Sequence, residues 1–347
     1  MITQYLYASR YEKRNLCRQG VVNPPSLANK RRYNHERRAL ALIDIVLATF
    51  NGAQYLDLQI ESLLAQTHAD LRILARDDGS TDDTPAILRR FEQASGGRLH
   101  ILRDSFGNLG PAGNFATLLK ASDAAYIMFC DQDDVWDADK VAVTLAAMLQ
   151  AENDSPGAPV LVHTDARIVD SRLQLLSPSY YAYVHIRART SLPRLFFENT
   201  VIGCTSMINR PLADVAMPIP SGALMHDWWL ALVAEGFGTL RFVDQATINY
   251  RQHPANQIGA FSYGWKTVFE LTGARIAKAK TNCEDAFRQA LIFEHTYRGR
   301  MPTDSQSNLA LLRELRSRNW FARRLLAARN GMHKTGVLRT GLFYLLI

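Results

Sequence analysis

Three short apolar runs, Ile43–Thr49, Leu71–Arg76 and Ala125–Cys130, each stop at a turn built from Asp, Asn, Gly or Gln. The turns are Thr49-Phe50-Asn51-Gly52, Asp77-Asp78-Gly79-Ser80 and Asp131-Gln132-Asp133-Asp134, and a helical pattern follows each of them. After the first turn, Leu56, Ile60, Leu63 and Leu64 recur at helical spacing; after the second, Ile87, Leu88 and Phe91 do so, with Thr81 as the expected cap. A short strand over Leu99–Leu102 and a helix over Pro111–Ala121 continue the alternation. Repeated β-α-β units of this length predict a parallel, doubly wound sheet. In such a sheet the strands' C-terminal ends share one edge, and ligands bind there. The fold therefore gathers three polar turns at one place before any function is assumed.

The third turn carries three carboxylates in four residues, and groups so close repel one another unless one holds its proton or a cation intervenes. Mg²⁺ or Mn²⁺ bound by one or two carboxylates commonly also holds substrate phosphates. The plain alternative is a solvated acidic turn in which Asp134 or Asp137 caps the helix continued by Lys140, Val141 and Leu145. Two further clusters lie downstream. In His226-Asp227-Trp228-Trp229, Asp227 is either an N-cap over core tryptophans or a general base beside an aromatic platform for a sugar. In Tyr250-Arg251-Gln252-His253, His253 reads as a metal ligand, a diphosphate donor or an ordinary loop histidine, and Arg251 as a charge that neutralises a leaving group.

Further strands are expected over Val160–Val169, Ser206–Ile208, Leu240–Val243 and Ala246–Tyr250, some of them antiparallel. Helices rich in Arg are expected from Phe261 onward. Gly107-Asn108-Leu109-Gly110-Pro111-Ala112-Gly113 has the wrong glycine spacing for a dinucleotide fingerprint, and no Gly-Lys-Ser/Thr phosphate loop is present. Cys17, Cys130, Cys204 and Cys283 are scattered, which fits thiols packed as small apolar groups in a reducing compartment. The net charge of +7 is uneven: residues 1–43 hold nine Lys/Arg against two acids, and residues 260–347 hold fifteen against six. The acidic middle disfavours nucleic acid. The basic ends suit anionic lipid headgroups or a polyanionic partner, or simply keep the chain soluble.

Taken together, the five motifs, with Trp136 and Lys140 after the third turn, resemble family 2 glycosyltransferases in order and spacing over about residues 43–260. The bacterial rhamnosyltransferase-like branch is the most similar, and Asn199 through Gly203-Cys204-Thr205 shares that likeness. The resemblance implies a GT-A fold: a doubly wound, mostly parallel sheet with a small antiparallel acceptor-side region and a helical C-terminal tail. The expected division is a basic, disordered arm over 1–42 (or sequence ahead of the true start), the transferase domain over 43–260 and a basic helical region over 261–347.

The implied reaction is an inverting, metal-dependent transfer of rhamnose or another deoxyhexose from a dTDP- or UDP-linked donor. The acceptor would be a hydroxyl of a surface polysaccharide or lipid-linked precursor, and the enzyme cytoplasmic or peripheral at the inner membrane face. By position Asp78 matches the acid at the nucleotide base, Asp131 the first acid of the DXD element, Asp133 the principal metal ligand and Asp227 the base. Thr49, Asn51 and Arg251 join the donor side, His226, Trp228 and Trp229 the acceptor side, and His253 the metal. His226 stands where many members have Glu or Asp. A nucleotidyltransferase and a non-catalytic nucleotide-sugar-binding module are the alternatives; the first lacks its Gly-rich basic loop here, and intact acids argue against the second.

Overall fold

The structure, a computed structural model, describes residues 42–254 and 273–347; the expected N-terminal arm and the stretch around Phe261 lie outside them. The chain runs β1 (Ile43–Thr49), α1 (Ala53–Leu64), β2 (Leu71–Asp77), α2 (Thr84–Ala94), β3 (Leu99–Ile101), α3 (Gly110–Ala121) and β4 (Tyr126–Cys130). These four strands are parallel in the order β3-β2-β1-β4. Period-two alternation sends Ile43, Ile45, Leu47, Tyr126, Met128 and Cys130 to one face, and Val46, Ile127 and Phe129 to the other. Both faces are apolar because both are covered by helices.

The second half adds β5 (Val135–Trp136), α4 (Lys140–Asp154), β6 (Val160–Val169), β7 (Leu175–Ser177), α5 (Tyr180–Val184), α6 (Leu192–Leu195) and β8 (Ser206–Asn209). Then follow α7 (Arg210–Ala216), α8 (His226–Phe237) and β9 (Thr239–Arg251). The sheet extends from β4 through β8, β6 and β9 to β5, with β7 beside β6. Pairing here is mixed: β8 is antiparallel to β4 and β6, whereas β9 is parallel to β6. The two strands expected over 240–250 are one, bent by register shifts around Thr164 and Asp165 on its partner.

Helices α9 (Gly273–Tyr297), α10 (Thr303–Ser317), α11 (Trp320–Arg329) and α12 (Val337–Leu346) complete the described chain. They share an apolar core with the sheet: Phe293, Tyr297, Leu312 and Phe343 pack in one cluster with Leu195, Phe197 and Trp229.

Register sets the position of the site. Thr49 pairs with Asp77 and Leu47 with Cys130, so the three polar turns leave the sheet almost level with one another. Because β9 pairs with β5 as well as β6, its end at Arg251 arrives beside the third turn.

Candidate active site

Hydrogen bonds lace the three turns together. Gln132 holds the first turn at Phe50: its Oε1 accepts from Phe50 N (2.7 Å) and its Nε2 donates to Phe50 O (2.9 Å). Asn51, at φ 49°, donates its N–H to Ser80 Oγ (2.8 Å) and accepts from Thr81 N through Oδ1 (2.8 Å). That left-handed conformation is one Asn tolerates better than most residues. Thr49 is buried beneath the turn, its hydroxyl donating to Asp77 Oδ1 (3.1 Å). The expected Thr81 cap is replaced by Asp83, with Asp82 Oδ1 accepting from Thr84 N (3.0 Å).

Asp78 is enclosed. Its Oδ1 accepts from Arg76 Nη1 (2.6 Å) and Leu109 N (2.8 Å), and its Oδ2 from Gly110 N (2.8 Å). Arg76 also reaches Asp104 (2.7 Å), so one buried guanidinium joins the second turn to the loop before α3. Deleting one partner of a buried ion pair leaves the other charge uncompensated. Asp78→Asn is accordingly expected to lower unfolding free energy by about 3 kcal/mol, read as a shift of the urea midpoint at unchanged slope.

The third turn divides its acids. Asp133 Oδ2 lies 2.8 Å from His253 Nε2. Asp134 is fully buried and accepts from Arg251 N through Oδ1 (3.0 Å), while its Oδ2 has no hydrogen-bond partner. Asp134 therefore anchors the end of β9 and does not cap α4, which begins at Lys140. Asp131 keeps a solvent edge, yet protein around it and the charges of Asp133 and Asp227 push its carboxyl up to about 7. Burial raises Asp134 well above the carboxylate range.

Among the described residues, Asp131, Asp134 and Cys204 form a group whose ligand atoms lie within 4.8 Å of one another, so a cation could be held here. Carboxylates driven toward protonation with an orphan oxygen among them are the charge pattern that a hard divalent ion relieves. Cys204 is less suited to such an ion, because burial holds its thiol well above 9 and so protonated. Lys140, fully buried over the Trp136 ring (4.6 Å), is lowered by burial to about 8.

Arg251 is buried, donating to Asp133 O (2.7 Å) and Ser171 O (2.8 Å) and lying over the Tyr55 ring (4.6 Å). Tyr55 in turn sits 4.7 Å from the His253 ring.

Asp227 opens the first turn of α8. Its Oδ2 accepts from Asn199 Nδ2 (3.2 Å) and its Oδ1 from Trp228 N (2.7 Å). Burial, opposed by those bonds, raises its carboxyl to about 6. A Cβ at Gly203 would lie 3.4 Å from Asp227 Cβ, and the next residue, Cys204, has its thiol within 4.8 Å of Asp131 and Asp134, which puts Asp227 beside the acidic turn. His226 is buried between Phe115 (4.0 Å between rings) and Phe129 (5.0 Å), and burial lowers it to about 3, so it stays neutral.

One expected acceptor residue is corrected: Trp229 is wholly buried against Phe293 and Tyr297, donates to Ala216 O (3.2 Å), and presents no face to a substrate. Trp228 is half-buried with its indole N–H on Leu195 O (2.6 Å). Sequence reasoning gave no part to Tyr55, and it named Gln132 and Cys204 only as members of motifs. Asn199 it likewise placed in a motif without a task, and no local pattern assigns a role to any of the four.

A sheet of this order, with an acid-bearing turn at the strand ends and a second acid opening a helix beside it, has the architecture of the GT-A fold. The solved mannosyltransferase PcManGT of Pyrobaculum calidifontis, in complex with GDP-Man and Mn²⁺, superposes with a TM-score of 0.52 at 17% identity, over 86% of this chain and 81% of that one. The glycosyl transferase family 2 model matches residues 44–214. The dTDP-rhamnosyl transferase RfbG of Shigella flexneri is 30% identical over 227 residues, 62% of this chain and 74% of that protein. The chain belongs to glycosyl transferase family 2 and is a glycosyltransferase enzyme. A β-1,3-glucosyltransferase of Escherichia coli named for a GlcNAc-diphosphoundecaprenol acceptor, WfgD, is 32% identical over 109 residues. That match spans 31% of this chain and 42% of the relative.

Proposed function

We propose that the enzyme moves rhamnose or another deoxyhexose, with inversion, from a dTDP- or UDP-linked donor to a hydroxyl of a surface-polysaccharide precursor carried on lipid. The observation that carries the reading is the placement of Asp227: an enclosed carboxyl in the first turn of α8, held by Asn199 beside the acidic turn, with burial raising it to about 6. A base with that affinity is ionised at neutral pH yet still accepts a proton readily. The similarity to a dTDP-rhamnosyl transferase over most of that protein supports the donor, and WfgD's name supports the class of acceptor.

Asp227 takes the proton of the acceptor hydroxyl as its oxygen bonds to the anomeric carbon. The bond from that carbon to the diphosphate breaks on the opposite face, and the nucleoside diphosphate leaves with the bonding pair. Trp228 borders the acceptor side, and His226, neutral and enclosed between Phe115 and Phe129, backs it from within. Asp133, Asp131 and His253 would hold Mg²⁺ or Mn²⁺, which supplies positive charge to the departing diphosphate. Arg251 sets the turn that carries Asp133 and adds its charge beside it. On the donor side Asn51 faces solvent, whereas Thr49 and Asp78 shape the nucleotide's seat from beneath and keep the turns in register.

Among the described residues no helix is long and apolar enough to cross a membrane. We place the enzyme in the cytoplasm, working at the inner face of the membrane.

The test is release of nucleoside diphosphate from dTDP-rhamnose and a panel of UDP sugars, with Mn²⁺ and polyprenyl-diphosphate saccharides as acceptors. Turnover with dTDP-rhamnose and an inverted product is expected. Turnover confined to a hexose donor, or a retained anomeric configuration, would overturn the corresponding part.

A further inference from the structure

Helices α11 and α12 expose an unusual set of side chains. Trp320 is 62% exposed, Phe321 70%, Leu325 43%, Val337 89%, Leu338 52% and Leu345 67%. On α11, Phe321, Leu325 and Ala328 fall at helical spacing on one exposed face; on α12, Val337, Leu338, Gly341 and Leu345 do the same. Arg324 joins the two helices, stacking on Trp320 (3.6 Å) and donating to Leu345 O (2.7 Å). The groove between them, about 290 Å³, is lined by Trp320, Phe321, Leu325, Ala328 and Tyr344, with Arg324 as its one charged wall. Contiguous exposed aromatic and aliphatic groups on a soluble domain mark an interaction surface.

Charge identifies what covers it. From Leu315 to Ile347 the chain holds seven Lys/Arg and no acid. Arg318 is held by Glu314 and Arg339 by Glu198, and a second copy docked face to face would bring the α11 cations, Arg323, Arg324 and Arg329, against their own kind. A bilayer with anionic headgroups accepts the rings and aliphatic groups at its interface, while Arg stems lie along them with their heads among the phosphates.

We propose that this α11–α12 face docks on an anionic lipid surface. The inference deepens the reading that places the enzyme at the membrane, and its failure would leave the chemistry assigned to Asp227 intact. A chain of hydrogen bonds and ion pairs links face to site. Glu198 accepts from Thr335 N (2.9 Å), Arg339 Nη2 (2.8 Å) and Arg194 Nη2 (2.7 Å), and the next residue, Asn199, is the donor to Asp227. Docking would hold the base at a fixed setting over the plane in which a lipid-linked acceptor lies.

The experiment is co-sedimentation of the full chain with vesicles of phosphatidylcholine alone and of phosphatidylcholine with phosphatidylglycerol. Binding is expected only with phosphatidylglycerol, weakened about fivefold for each charge removed in Arg324→Gln and Arg329→Gln. It should fall more than about tenfold in a Phe321→Ser, Leu345→Ser double variant, with turnover of a soluble acceptor unchanged. As a measure independent of these variants, Trp emission of the unaltered protein should shift to the blue on anionic vesicles and be quenched by brominated lipid, responses that Trp320→Phe removes. No binding to anionic vesicles overturns the proposal. So does binding that both sets of variants retain, or a dimer by light scattering that Phe321→Ser dissolves.

Discussion

Asp227→Asn should reduce sugar transfer about a thousandfold, within the range a general base contributes, and leave nucleotide affinity nearly unchanged. Asn preserves the shape of the side chain and an oxygen for the bond from Trp228 N, so the loss isolates the proton-accepting role. The same group sets the acid limb of the pH profile. With its carboxyl at about 6 in the folded enzyme, kcat/KM should fall about tenfold per pH unit below that point.

Stability offers an independent reading with a definite sign. The carboxyl is raised from 3.8 to about 6 by burial, so its ionised form is disfavoured on folding. Above pH 6 it is ionised in both states and folding bears that cost; below 4 it is protonated in both and bears none. The inactive Asn variant should therefore melt higher than the parent at pH 8, and the gap should close as pH falls through 6 toward 4. A variant that is inactive but melts lower at pH 8 would point to a structural Asp227 and sink the base assignment.

How much of this was legible in the sequence follows from the range of the interactions concerned. Strands β1, β2 and β4 announce themselves because each is a run of apolar residues closed by a polar turn, and parallel connection forces those turns to one edge. Asp131, Asp133 and Asp227 could be singled out because a carboxyl next to an apolar element is unusual in itself. The lacing is different: Gln132 to Phe50 and Asn51 to Ser80 join residues 82 and 29 apart, and either partner alone looks like any polar loop residue. In the plain alternative Asp134 or Asp137 caps the following helix, because only neighbours in sequence can be weighed; the partner of Asp134, Arg251 N, comes from 117 residues away. Trp229 sits in a motif whose chemistry invites a sugar platform, but on a helix it points away from Asp227's side, into a core completed by α9. The tail's basic charge was visible, whereas the apolar face it surrounds exists only once α11 and α12 lie side by side.

The second large effect concerns the metal. Among the described residues Asp131 lies with Asp134 and Cys204 toward the interior, whereas Asp133 stands with His253 at the solvent edge, so the proposed ion has two candidate seats. A Mg²⁺ or Mn²⁺ ion that must keep waters and meet a diphosphate requires access, and the Asp133–His253 pair has it, with 16% and 8% of the side chains exposed against none for Asp134. Hard cations also prefer carboxylate to thiol. We therefore expect Asp133→Ala to weaken Mn²⁺-dependent nucleotide binding by more than the roughly 10–100-fold typical of losing a group behind a ligand. Chelation with EDTA should reproduce that loss in the parent and add little in the variant. Cys204→Ala should alter the affinity far less, since its thiol is protonated and enclosed. Calorimetry of nucleoside diphosphate binding with and without Mn²⁺ separates the two sets. The reverse ranking, with Cys204→Ala the more damaging, would move the ion inward onto Asp134 and leave the Asp133–His253 pair to position the turn.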